Sequence, residues 1–126
     1  MIAYLDTNAL VWLAQGGLDH FSSRVTRLLQ QADLFFSPMV LLELEFLYEI
    51  KRVKMPACDI QRKVEYEMNL RLCTLPFPLI AQAALDEKWT RDPFDRMIVA
   101  HAKANGFASL ITDDEAIRAN YPRAVW

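Results

Sequence analysis

Met1-Ile-Ala-Tyr-Leu-Asp6, a short apolar run that ends in an acid, decides the fold. Within it, Ile2–Leu5 is predicted to be a buried strand. Residues 8–14 are predicted to form a short helix, which stops at Gly16 and Gly17 because glycine favours the end of a helix. The chain therefore opens with a strand, an acid and a helix.

The rest of the chain alternates helices with strands in the same way. Helices are predicted from Ser22 or Ser23 to about residue 32, from Pro38 to about residue 53, at residues 59–69, 79–85 and 93–105, and from Thr112. Strands are predicted at residues 34–36, 70–75, Ser109–Ile111 and 124–126. This alternation predicts one domain, residues 1–126, with an α/β fold of three layers, α/β/α, around a mostly parallel sheet of about four to five strands.

Composition excludes several classes of protein. Hydrophobic residues make up 53% of the 126 residues, which excludes a disordered chain. Cys58 and Cys73 lack the spacing and the histidines of a structural zinc site, and the three glycines form no phosphate-binding loop. The first residues are strand-like and contain no basic region followed by a long apolar segment. We therefore expect neither a signal peptide nor a membrane span, and a cytoplasmic location.

Acidic residues follow or interrupt the apolar segments at four places, namely Asp6, Glu43, Asp95 and the pair Asp113 and Asp114. Carboxylates held against a core repel one another and lose hydration, so several together need a cation or a proton to neutralise them. In an open parallel sheet, residues that follow the strands gather at one edge, where ligands usually bind. We therefore expect a divalent metal site at that edge.

Asp6 and Glu43 differ in how well a structural role explains them. Asp6 suits the N-cap of the helix that follows it, and capping alone is a sufficient explanation. Glu43 lies several residues inside its helix, between Leu47 and Ile50 on the apolar side, where capping does not apply. The structural alternative for Glu43 is an ion pair with an Arg or Lys of another element.

The segment Arg91-Asp-Pro-Phe-Asp-Arg96 begins a helix and carries two acids. Asp92 fits the N-cap, and Asp95 fits the third helical position, where an acid is favourable. Helical rotation turns Asp95 toward Val99, on the side opposite Arg96. We therefore prefer Asp95 to Asp92 as a ligand.

The last acidic segment, Thr112-Asp-Asp-Glu115, matches a capping box, so a helix start explains it locally. The segment is a candidate for the metal site because it follows the last central strand, beside the expected end of the first strand. The pattern leaves open whether Asp113 or Asp114 points inward.

The histidines and tryptophans carry no catalytic pattern. His20 and His101 have no Ser, Cys or acidic neighbour at the spacing of a triad, so we expect surface or packing roles. The tryptophans are expected to pack rather than to stack on bases, and they are Trp12, Trp89 and Trp126.

Four segments, in this order, carry a familiar pattern: Tyr4-Leu-Asp-Thr-Asn8, Ser37 with Glu43 downstream, residues 91–100, and Leu110-Ile-Thr-Asp-Asp114. Together they resemble a PIN domain, in particular the VapC-type toxin ribonucleases of type II toxin–antitoxin systems. The resemblance spans nearly the whole chain, and the Asp-Pro-Phe-Asp-Arg stretch is its most specific part.

The resemblance implies an endoribonuclease, a hydrolase that depends on Mg²⁺ or Mn²⁺ and has a site of four acids. These acids fall on Asp6, Glu43, Asp95 and, through the Thr-x-Asp pattern, Asp114, with Asp92 and Asp113 as adjacent extras. The family's small hydroxyl positions, which would orient the carboxylates or a water, fall on Thr7, Ser37 and Thr112. Asp6 and Asp95 are expected to hold the main ion, and Glu43 and Asp114 to complete the site or hold the water.

The net charge of −2 argues weakly against nucleic-acid binding, but divalent ions on the acids would offset it. One group of basic residues either follows an RNA backbone or forms a solvated surface, and it consists of Lys51, Arg52, Lys54, Arg62 and Lys63. Arg91 and Arg96 flank the acids beside the predicted site, where Arg96 alternatively pairs with a neighbouring acid.

The resemblance also implies partners, namely a homodimer and a VapB-like antitoxin that covers the site. Trp12, Phe46 and Tyr48 offer apolar surface for such an interface, unless they belong to the core.

Two other functions are carried as alternatives. The first is a PIN-like binding module without activity, against which the presence of all four acids argues. The second is a receiver-type phosphoacceptor domain, which requires an aspartate after a central strand, whereas residues 70–75 contain none. A phosphatase of the Asp-x-Asp type fails similarly because Asp6-Thr-Asn8 lacks the second acid.

Overall fold

A five-stranded sheet forms the centre of the protein in a computed structural model that describes residues 1–126. The strands are β1 (Ile2–Leu5), β2 (Asp33–Phe36), β3 (Arg71–Leu72), β4 (Ser109–Ile111) and β5 (Ala124–Val125). They lie in the order β3-β2-β1-β4-β5, and every pairing is parallel. The predicted sheet of four to five mostly parallel strands is confirmed.

Seven helices flank the sheet: α1 (Thr7–Gly16), α2 (Ser23–Gln31), α3 (Pro38–Glu49), α4 (Ala57–Met68), α5 (Phe77–Ala84), α6 (Pro93–Ala104) and α7 (Glu115–Asn120). At least one helix joins each strand to the next, because parallel strands need a crossover connection. The result is the predicted three-layer α/β/α architecture. None of the helices is both long enough and apolar enough to span a bilayer.

The central strand β1 explains why the N-terminal sequence is apolar without alternation. Ala3, Tyr4 and Leu5 are fully buried, since β2 and β4 flank the strand and helices cover it. Tyr4 carries the only side-chain hydroxyl of this strand. That hydroxyl donates to Cys73 Sγ at 3.1 Å and accepts from Asn105 Nδ2 at 2.8 Å, so its burial leaves no polar group unpaired.

A buried ion pair ties the loop before α6 to the last turn of that helix. The Glu87 side chain is almost fully buried and contacts the Lys103 ammonium, and its other oxygen accepts from Trp89 Nε1 at 2.7 Å. An unpaired buried charge would be costly, so these contacts hold the loop and the helix in one arrangement. Trp89 also packs against the core, as predicted.

The predicted boundaries of α3 and α4 are wrong by a few residues. Helix α3 ends at Glu49 instead of about residue 53, because Lys51 adopts a left-handed conformation with φ 63°. Arg52 N then donates to Leu47 O at 2.8 Å, which closes the helix. Helix α4 begins at Ala57 instead of about residue 59, because Glu45 Oε1 of α3 accepts from Ala57 N at 3.0 Å.

Strand β3 and helix α7 also differ from the prediction. The strand covers Arg71–Leu72 instead of residues 70–75, because Leu72 pairs with Phe36 and β2 ends there. Helix α7 does not start from Thr112. Its N-cap is Asp114, whose Oδ1 accepts from Ile117 N at 2.9 Å, so the capping-box prediction is wrong by two residues.

The start of α2 generates a first prediction, because the sequence offered both Ser22 and Ser23. Ser22 is the N-cap, and its hydroxyl oxygen accepts from Val25 N at 3.2 Å. We expect Ser22→Ala to lower the free energy of unfolding by about 1 kcal/mol, since it removes the acceptor. Ser23→Ala, at the first helical position, should be close to neutral. Urea denaturation of both variants measures this, and equal losses would contradict the assignment.

Candidate active site at the carboxyl edge of the sheet

Strand register places the residues that follow β1, β2 and β4 side by side. Leu5 pairs with Phe36 on one side and with Ile111 on the other. The next residues along the chain are Asp6, Ser37 and Thr112, and all three are buried. Buried polar side chains at this edge of a parallel sheet mark the usual position of a ligand site.

Asp6 serves as the N-cap of α1, as the sequence suggested. Its Oδ1 accepts from Ala9 N at 2.9 Å, and its Oδ2 accepts from the Thr112 hydroxyl. Burial nevertheless raises the pKa of Asp6 to about 7, and the nearby charges of Asp113 and Asp114 act in the same direction. Hydrogen bonds thus hold the Asp6 carboxylate in place, but no basic side chain forms a salt bridge with it.

Glu43 reaches the same region from the middle of α3. The Thr7 hydroxyl of α1 donates to Glu43 Oε1, and no Arg or Lys forms a salt bridge with this residue. The ion pair considered as the structural alternative is therefore absent. Burial raises the pKa of Glu43, with further increases from Asp92 and Asp114.

Asp95 and Asp92 have different surroundings at the start of α6. Asp92 Oδ1 accepts from Phe94 N at 2.8 Å and from Asp95 N at 3.3 Å, so Asp92 is the N-cap. The Asp95 carboxylate accepts no hydrogen bond from the protein. Burial raises the pKa of Asp95 to about 7, and four neighbouring acids add to the rise, namely Asp92, Asp114, Glu43 and Asp6.

These groups line one cavity of about 110 Å³. Its lining consists of Asp6, Thr7, Asn8, Glu43, Asp92, Asp95, Ile98 and Asp114. None of the five acids forms a salt bridge. Asp113 instead lines an adjoining cavity with Asn8 and Trp12. The structure thus places Asp114 in the acidic cavity and Asp113 outside it.

The three predicted hydroxyl positions have different contacts. The hydroxyls of Thr7 and Thr112 donate to Glu43 and Asp6, and Thr112 Oγ1 also accepts from Asp114 N at 3.1 Å. Ser37 does not line the cavity. Its Oγ accepts from Met39 N at 3.1 Å and caps α3, so its contact is with the backbone rather than with an acid.

The histidines and the nearby arginine lie outside this arrangement. His101 is buried in α6, where burial lowers its pKa and Nδ1 lies 3.0 Å from Met97 O. His20 stacks on Trp12. Arg96 Nε donates to Thr90 O at 2.8 Å, so it does not pair with an acid as the alternative expected. The cavity therefore contains carboxylates, a threonine and an amide, and no basic side chain.

The donor set fits a hard cation. Carboxylate oxygens are the ligands that Mg²⁺ and Mn²⁺ prefer, and the uncompensated charge favours a cation. No group of three acidic, histidine or cysteine side chains is placed to hold one ion together. Mg²⁺ commonly keeps several waters and takes only one or two carboxylates directly. The residues present therefore fit an ion held partly through water.

Comparison with known proteins identifies the family. Residues 3–121 match the PIN domain family model. The chain therefore belongs to the PIN domain family, which confirms the resemblance seen in the sequence and removes the receiver-type alternative. No curated protein matches the chain.

Three solved structures have similar folds. VapBC2 from Rickettsia felis, bound to a DNA fragment from their promoter, contains a chain with 20% identity and a TM-score of 0.66, over 99% of this chain and 96% of that one. DNA-bound VapBC from Salmonella typhimurium contains a chain with 18% identity and a TM-score of 0.62, over 98% of this chain and 95% of that one. VapBC-1 from nontypeable Haemophilus influenzae contains a chain with 22% identity and a TM-score of 0.61, over 94% of each chain. At these identities, the likeness concerns the fold.

The acidic cavity predicts a pH dependence for the metal-free protein. Asp95 has a pKa of about 7 in the folded chain and an ordinary value of 3.8. The contribution of Asp95 to the free energy of unfolding is therefore fully present below pH 3.8 and is lost as the pH rises through about 7. Asn cannot ionise, so the stability of Asp95→Asn relative to the wild type should increase between about pH 5 and about pH 8.

Urea denaturation with a chelator at both pH values measures this difference. Asp59→Asn is the matched control, because Asp59 lies outside the cavity on α4, 3.6 Å from Arg62. The same pH course for both variants would contradict the prediction.

Proposed function

We propose that this PIN domain is a metal-dependent endoribonuclease, the toxin of a VapC-type toxin–antitoxin pair, and that it cleaves RNA phosphodiester bonds with a metal-activated water. The observation that carries the proposal is the cavity where five carboxylates meet without a basic partner. The cavity also lacks Ser, Cys, Lys and His, and its one hydroxyl, that of Thr7, is engaged with Glu43. We assign the carboxylates to the metal rather than to nucleophilic attack. A hydrolytic water is the remaining nucleophile.

The proposed ligands for Mg²⁺ or Mn²⁺ are led by Asp6 and Asp95. Asp95 has the stronger claim, because both of its oxygens lack hydrogen-bond partners and four acids surround it. Asp6 is held in place by Ala9 N and Thr112, which fixes the carboxylate before an ion arrives. When bound, the cation would lower the pKa of a water and neutralise the scissile phosphate.

Glu43 and Asp114 are proposed to complete the site or to orient the water. Each has one carboxylate oxygen engaged by the protein, Oε1 with Thr7 and Oδ1 with Ile117 N. The second oxygen of each side chain has no protein donor, so it is available to a water or an ion. Asp92 has the same property, because its contacts to the backbone use Oδ1 alone.

The VapBC likenesses and the surface of α3 support a protein partner, which we propose to be a VapB-like antitoxin, and a homodimer. Phe46 is 50% exposed and Tyr48 is 40% exposed, so both belong to the surface rather than to the core. Exposed aromatic side chains of this size are common at protein interfaces. We propose that the protein acts in the cytoplasm, where it would meet both its RNA substrate and its antitoxin.

Cleavage of total RNA tests the central proposal. With Mg²⁺ or Mn²⁺, the wild type should cut RNA, and a chelator should abolish cutting. Asp95→Asn should lower the rate by at least about 100-fold, since it removes the proposed main ligand, whereas loss of supporting groups around a metal costs 10- to 100-fold. Stoichiometric metal binding without cleavage of any RNA would instead favour the inactive binding module.

The neighbouring acids Asp113 and Asp114 provide a matched pair. We expect Asp114→Asn to lower cleavage at least about 10-fold, because only Asp114 lines the acidic cavity. Asn can still cap α7 through its oxygen, so the fold should be preserved. Asp113→Asn should keep more than half of the cleavage rate. Initial rates on one RNA measure both, and a greater loss in Asp113→Asn would reverse the assignment.

A further inference from the structure

Three neighbouring cavities share lining residues, in a line that starts at the acidic site. The acidic cavity shares Asn8 with a second cavity of about 320 Å³. The second shares Val53 with a third cavity of about 460 Å³. The second cavity therefore lies between the acidic cavity and the third.

The second cavity combines an aromatic wall with amide side chains, one arginine and the carboxylate of Asp113. One face of α1 supplies Asn8, Val11, Trp12 and Gln15, at the spacing of successive helical turns. Trp12 is 36% exposed, and its ring stacks on His20 with centroids 4.0 Å apart, which fixes its orientation. The prediction of a packing role for Trp12 is therefore incomplete. The amides of Asn8 and Gln15 carry both donors and acceptors, as base edges do.

The line then reaches three basic residues in the turn between α3 and α4. Arg52 lines the second cavity, and Lys51 and Lys54 line the third. All three are exposed, and none forms a salt bridge. By contrast, Arg62 lies 3.6 Å from Asp59. The predicted basic group therefore divides: Arg52 lines the cavity that adjoins the acidic one, and Lys51 and Lys54 line the cavity after it.

We propose that this line of cavities is the track for single-stranded RNA, an inference that rests on the proposed function. One base next to the scissile phosphate enters the second cavity against Trp12, between Asn8 and Gln15. The backbone continues over Arg52, Lys51 and Lys54. Unpaired cations with an aromatic wall are the features that bind single strands, and their place in cavities adjacent to the acidic one favours RNA over a protein partner.

Binding of RNA tests the backbone contacts. The background is Asp95→Asn, which prevents cleavage, and the probe is a labelled single-stranded RNA of random sequence, followed by fluorescence anisotropy. Arg52→Gln should weaken binding about 3- to 10-fold and reduce the salt slope by about 0.7, as expected for one phosphate contact on a single strand. The matched control is Arg27→Gln, because Arg27 is exposed on α2, has no salt bridge and lines a different cavity.

Substitutions in the second cavity, which we call the base pocket, test the proposed contact with a base. Trp12→Ala should weaken binding about 5- to 100-fold, the range expected for one lost stacking contact. Because that variant risks unfolding, Gln15→Ala on the exposed side of α1 provides a second measurement. In the active enzyme, Gln15→Ala should change the preferred cut positions, mapped on total RNA with Mn²⁺.

The outcomes separate the two proposals. A wild type that cuts no RNA with Mn²⁺ defeats the proposed function, whatever the variants bind. A wild type that cuts RNA, with Arg52→Gln and Arg27→Gln binding it equally well, overturns the track and leaves this surface to a protein partner. Unchanged cut positions in Gln15→Ala, together with full RNA binding in folded Trp12→Ala, overturn the base pocket.

Discussion

Repulsion among five carboxylates in a cavity of about 110 Å³ is the constraint around which this structure is organised. The protein offsets it with hydrogen bonds and helix starts, and uses no basic side chain. Asp6, Asp92 and Asp114 each cap a helix, where the unpaired backbone N–H groups carry partial positive charge. Capping and site formation are therefore compatible roles of the same residues. The helix starts hold the acids in place but leave their charge largely uncompensated.

The remaining two acids depend on packing farther away. Glu43 lies inside α3, and its position is set by Thr7 at the start of α1. The Asp95 carboxylate accepts no hydrogen bond from the protein, so the rotation of α6 decides where this side chain points. That rotation is fixed by buried residues along the helix and by the contact between Lys103 in its last turn and Glu87. Substitutions at the far end of α6 therefore act on the site through the orientation of Asp95.

The alternation of strands and helices was predictable from the sequence. The acidic cavity was predictable too, because acids follow β1 and β4 closely and helical periodicity turns Glu43 and Asp95 inward. The sequence did not distinguish Asp113 from Asp114, since both suit a capping box. The difference arises when Thr112 bonds to Asp6, a contact between residues at opposite ends of the chain. The Glu87 ion pair and the early end of α3 escaped prediction for similar reasons. Each depends on a tertiary contact or a left-handed residue that local patterns do not encode.

The distribution of charge explains how a chain with a net charge of −2 would suit the proposed RNA substrate. Five of the 16 acids line one cavity. The unpaired cations Arg52, Lys51 and Lys54 line the two cavities that follow it. Without a metal ion, the acidic cavity repels phosphate while the basic turn attracts it. A divalent cation offsets part of the negative charge in the cavity, which weakens the repulsion of phosphate, and leaves the attraction by the basic turn unchanged. Metal and RNA must then strengthen each other's binding by the same factor, since coupling between two ligands is reciprocal.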